Sequence, residues 1–220
     1  MGFAWQSQPQ MTTSHEAAEQ LRTIRSIMER ATIFRALSGE AALVGGAMSL
    51  AAGWLSEAQH GWAWGLTWLG GLGVVLMFFL WQTLRTARAR EKPLLSQGLK
   101  VALRGALPSL IAGGFLGLLY LKYGKPEDRP ELYAAAFWIL HYGLALLAIR
   151  EFAPKSMVWL GAAFVLCGLG CFCAISFVQV AKHVMLRMGP SGVMAATFGG
   201  FHLLYGAAIV TTTRRDSPGT

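Results

Sequence analysis

Residues 157–177, MVWLGAAFVLCGLGCFCAISF, carry no charged side chain. As a helix rising 1.5 Å per residue, this stretch spans the roughly 30 Å hydrocarbon core of a bilayer. Its composition matches that reading. The glycines and alanines are the small residues that let membrane helices approach closely.

Working outward, the same pattern recurs along the chain. Uncharged or nearly uncharged runs cover about 41–55, 62–82, 105–121, 132–149 and 192–212, with charges gathered between them. The whole chain has 14% charged residues and a mean hydropathy of +0.45. A soluble domain carries about 25% charged residues. The expected fold is therefore an all-α polytopic integral membrane bundle of six transmembrane helices over 39–213. Residues 1–12 are expected to be disordered, and 214–220 to form a cytoplasmic tail.

Residues 13–38 read as an amphipathic helix ahead of the first span. Thr13 and Glu16 have capping-box spacing, and Leu21, Ile24, Ile27, Met28, Ala31 and Phe34 fall mostly on one face. Arg22, Arg25, Arg30 and Arg35 punctuate the rest. Such a helix lies on an anionic leaflet, packs on the protein's own loops, or engages a soluble partner. The N-terminus lacks a basic segment followed by an apolar one, so a cleavable signal is not expected.

The charge pattern sets an orientation. Of the 19 Lys and Arg residues, fourteen lie in the N-terminal segment, 85–104, 150–155 and the C-terminus. The other five lie in 122–130 and 178–191. The positive-inside rule places the first set, and both termini, in the cytoplasm, the expected membrane being the bacterial inner one. The net charge of +8 comes from helix ends rather than one basic face, which excludes a nucleic-acid reading. Trp54, Trp62, Trp64, Tyr120, Tyr123 and Tyr133 fall near outer span ends and read as an interfacial belt. Gly189-Pro190-Ser191-Gly192 reads as a chain break before the last span.

Small residues mark helix contacts: Ala41, Gly45, Ser49 and Gly53 in the first span, Gly113 and Gly117 in the third, Ala196 and Gly200 in the last. A homo-oligomer through such a seam is compatible with the pattern.

Chemistry-bearing groups inside the spans are few. No Asp, Glu, Lys or Arg sits mid-span, and there is no HExxH, P-loop or GxSxG motif. Pumps keep costly intramembrane charges for their work, so pump, hydrolase and ATPase readings are poor and no catalytic residue is assigned. Cys167 and Cys171 share a face but lack the further ligands a metal site needs, so no metal site is assigned. Two histidines remain. His141 lies ten residues after Glu131, and His202 ten after Gly192, on spans running the same way. Both fall near the midplane at matched depth, where the imidazoles would face each other if their spans are neighbours. The aromatic-His elements LHYGLALLAIRE (140–151) and FHLLYGAAIVTTTRR (201–215) also suggest a repeat.

The candidate ligand-binding set is His141, His202, Tyr205, Trp138, Gly199 and Gly206, with the glycines leaving room for a flat ligand against a backbone. Three readings follow: a non-enzymatic protein binding or conducting a small neutral or amphiphilic molecule, a redox subunit holding b-type haem between two histidines, or an accessory subunit recruiting a soluble partner.

Overall fold

A computed structural model describes residues 16, 19–22, 39–89, 97–177 and 179–215. Among them the chain is helical throughout, with short turns and no strand. Seven α-helices are named here: α1 Gly39–Ser56, α2 Gly61–Ala89, α3 Gln97–Tyr123, α4 Pro130–Ala148, α5 Lys155–Ser176, α6 Gln179–Met194 and α7 His202–Arg215. A π-helical segment, Ala195–Phe201, joins α6 to α7. Residues 19–22 are helical, but most of the amphipathic segment 13–38 lies outside the described residues, as do 1–12 and 216–220.

Five stretches are long and apolar enough to cross a membrane: Gly61–Arg85, Lys100–Tyr123, Pro130–Ala148, Lys155–Ser176 and His183–Thr212. The protein is a helical membrane bundle. The sequence reading counts six spans; the helix at the first of these positions, α1, is not among the five. Its 18 residues include Glu40 and four glycines, which dilute its apolar character.

Local chemistry places the helix boundaries. α4 starts with Pro130 at its first turn, after Arg129 in a left-handed conformation (φ 52°). Proline suits that position because its missing N–H would be unpaired anyway. Gly189 (φ 68°, ψ 166°) interrupts α6, and Pro190 starts a new helix there. The Gly-Pro pair thus breaks the chain where the sequence predicts, and helix continues from Pro190 to Arg215.

α4 is the central helix. Half of its most apolar window is buried (50%), against 17% in α2 and in α3. α5 packs on one side of α4 and α3 on the other, while α1 packs on α2 and on the last span. Gly113 and Gly117 of α3 sit directly on His141 and Trp138 of α4. On the other side, Gly143 meets the backbone of α5 at Gly161 and Val165.

The α1 contact with the last span is also built on glycine, but with a different register from the one read in the sequence. A Cβ on Gly46 would lie 3.0 Å from the Gly199 carbonyl oxygen, and one on Gly206 would lie 2.7 Å from that of Gly39. Gly53 faces Ala195 and the Ser191 carbonyl. Gly39, Gly46 and Gly53 therefore form the seam, at a spacing of seven, antiparallel to Gly206, Gly199 and Ser191. Glycine costs a helix roughly 0.5–1 kcal/mol relative to alanine. In lipid that cost is offset by close backbone packing, because apolar burial does not drive helices together there. The expected partners Ala41, Gly45 and Ser49 lie on an adjacent face. Gly200 meets nothing within 4 Å.

The aromatic belt also needs one correction. Trp54 (77% exposed) and Tyr123 (70%) sit at the surface, but Trp64 is wholly buried. Its indole N–H donates to Ser191 Oγ at 2.9 Å, and that of Trp68 donates to Ser56 Oγ at 3.1 Å. The two serine hydroxyls are themselves 2.8 Å apart. This buried cluster ties α1, α2 and the last span together. Trp64 also stacks on Trp138 of α4, with ring centroids 5.5 Å apart.

Candidate functional site

A cavity of about 600 Å³ lies within the bundle, walled by α1, α2, α3, α4, α5 and the last span. That volume falls in the range of small-molecule sites, roughly 300–1,000 Å³. Its lining is overwhelmingly apolar and, among the described residues, contains no Asp, Glu, Lys or Arg. The polar side chains in it are His141 and Tyr142 from α4, His202 and Tyr205 from α7, Ser49 from α1, and the indoles of Trp68 and Trp138.

The two imidazoles are oriented in the same way. His202 Nδ1 lies 2.8 Å from the Phe198 carbonyl oxygen, and His141 Nδ1 lies 2.9 Å from that of Phe137. A carbonyl only accepts, so in both rings Nδ1 carries the proton. In a neutral imidazole Nε2 is then an acceptor. For His202 that acceptor is used: the Tyr142 hydroxyl donates to Nε2 at 2.7 Å. For His141, no hydrogen bond is made at Nε2 among the described residues; the buried Trp138 indole N–H, packed against Gly117 of α3, is likewise without a hydrogen-bond partner there.

Aromatic packing holds this arrangement. Phe164 of α5, fully buried, touches the rings of Tyr142, Phe198, Phe201 and His202 at centroid distances of 4.8–5.5 Å. The π-helical segment ends immediately before His202. A π-turn widens the helix locally and re-aims the side chains that follow, a feature frequent at functional sites.

Of the residues singled out in the sequence, His141, His202, Tyr205 and Trp138 all line this cavity. Gly199 and Gly206 do not. A Cβ on Gly199 would lie 2.7 Å from Leu50, and one on Gly206 would lie 2.8 Å from Leu43, so α1 fills the face assigned to a flat ligand. The histidines share the cavity wall, yet no hydrogen bond or ring contact joins them. Tyr142 is the group the sequence reading missed. It follows His141 directly, about 100° round the helix, and no spacing rule links position 142 to position 202 across two elements.

A bis-histidine haem needs both Nε2 atoms presented to the iron. The backbone bonds at Nδ1 suit such ligands, but His202 Nε2 is already engaged by Tyr142. As arranged, the pair does not fit haem. Cys167 and Cys171 gain no further ligand, since no group of three metal-ligating side chains occurs among the described residues.

Comparison with family models, curated proteins and solved structures returns no match.

Proposed function

We propose a non-enzymatic integral membrane protein that binds or conducts a small neutral or amphiphilic molecule in a midplane polar pocket. The observation that carries this reading is the cavity. Among the described residues it carries His141, Tyr142, His202, Tyr205 and Ser49 on a mostly apolar wall with no charged group. Such a site gives a neutral molecule an apolar envelope and a few orienting hydrogen bonds. It offers no counter-charge to an ion.

Six membrane crossings with both termini cytoplasmic belong to the same proposal. α1 lies antiparallel along the last span, with Gly39 beside Gly206 and Gly53 beside Ser191. A helix matched over that length to a spanning neighbour supports a crossing by α1 too. The two chain ends then share one side of a bacterial cytoplasmic membrane, which the basic residues mark as the inner one.

Gly45 offers a direct test of the pocket. It lines the cavity, and a Cβ there meets only Val75 Cγ1, at 3.9 Å. Gly45→Phe should push a ring into the space without touching the glycine seam. Native mass spectrometry of the wild-type protein is expected to show a co-purifying small molecule that the variant lacks. The same adduct on both proteins would remove the cavity as the binding site. A Soret band in the wild-type preparation would instead identify the occupant as haem.

A further inference from the structure

The cavity has a mouth, and its position says where a ligand comes from. Among the described lining residues, those exposed to the outside are Leu72 (52%) and Leu76 (56%) on α2, with Leu110 (42%) and Ile111 (66%) on α3. Lining residues on α1, α4, α5 and the last span are buried or half-buried. All four exposed side chains lie midway along spans Gly61–Arg85 and Lys100–Tyr123. An opening there faces hydrocarbon rather than water.

The gap follows from the packing of α3. Gly113 and Gly117 seat it on α4, while α2 is held mainly by α1. Gly114, the next residue round the helix from Gly113, lines the cavity, and a Cβ there would meet nothing within 4 Å. The two helices consecutive in sequence are thus held by different partners and part between them.

The polar groups in the wall set the other half of the ligand. Tyr142 and His202 satisfy each other. His141 keeps an acceptor at Nε2 and has no proton to give, because Nδ1–H is committed to the Phe137 carbonyl. An unpaired acceptor in an apolar site selects a donor. With no carboxylate among the described lining residues, a cationic donor is disfavoured. We infer that the cavity takes a hydroxyl-headed, otherwise apolar molecule dissolved in the bilayer, admitted sideways between α2 and α3, with its hydroxyl donating to His141 Nε2. This rests on the reading of the cavity as a binding site.

The test uses the full chain in lipid nanodiscs with tritiated 4-decylphenol and its methyl ether 4-decylanisole, which lacks the donor. The phenol should bind saturably and about tenfold more tightly than the ether, the worth of one neutral hydrogen bond. His141→Leu should lower the phenol to the level of the ether and leave the ether unchanged. Gly114→Trp, and Ile111→Trp at an exposed site that tolerates bulk, should slow association of both probes about tenfold or more. Equal affinities for phenol and ether in the wild type overturn the hydroxyl head. Unchanged association rates in both tryptophan variants overturn sideways access. If neither probe saturates while an adduct still co-purifies and is lost in Gly45→Phe, this inference fails and the binding cavity stands. If the adduct is absent as well, both fail.

Discussion

Tyr142 shows how much a single hydroxyl decides here. It donates to His202 Nε2 and packs against Phe164, so it fixes the tilt of an imidazole whose tautomer the Phe198 carbonyl sets. Removing the hydroxyl leaves a largely buried acceptor without its donor. Interhelical hydrogen bonds in membrane proteins average roughly 0.6 kcal/mol and reach about 1.7. The fixed geometry of this pair puts Tyr142→Phe near the upper end, a loss of about 1–1.5 kcal/mol. Thermal unfolding in detergent should show it as a drop of a few degrees; an unchanged midpoint would mean that the bond contributes nothing. His141 and His202 stand out in the sequence as histidines inside apolar runs. The role of Tyr142 is not, because tyrosine beside an apolar run reads equally well as packing.

At the scale of the element, the last span combines three departures from a plain helix: the Gly189 break, the Pro190 start and the π-helical segment 195–201. Its packing on α1 depends on glycines whose register the small-residue pattern alone misplaces. Small residues at spacing four (Ala41, Gly45, Ser49, Gly53) and glycines at spacing seven (Gly39, Gly46, Gly53) both occur in α1, and either set makes a plausible seam. The structure selects Gly39, Gly46 and Gly53, because these face the Gly206 and Gly199 carbonyls and Ser191. Gly199→Leu should therefore clash with Leu50 and cost about 1–3 kcal/mol in detergent unfolding, as overpacking does elsewhere. Gly200→Leu, one residue on with nothing within 4 Å, should cost far less. Equal losses at the two positions would sink the proposed register.

Across the whole molecule, the basic residues and the α1 packing bear on one question, the sidedness of the chain. His60, exposed between α1 and α2, should lie outside; Glu151, exposed after α4, should lie inside. In a cysteine-free background, His60→Cys should react with a membrane-impermeant maleimide in intact cells. Glu151→Cys should react only after permeabilisation. The opposite pattern reverses the orientation, and labelling of both from outside removes the three crossings between them.

By itself the sequence determines that this is a helical membrane protein, because uncharged runs of bilayer length have no comparably stable place in water. It also singles out the polar groups that lie within those runs, His141 and His202 among them. Tertiary structure alone decides which faces meet. Periodicity gives the angle of a side chain around its own helix but not the rotation of that helix against its neighbours. Trp64 therefore reads as an interfacial residue yet is buried against Ser191. Gly199 and Gly206 read as a ligand face yet hold α1. His141 and His202 reach one cavity wall, but it is Tyr142, not His141, that meets the second imidazole.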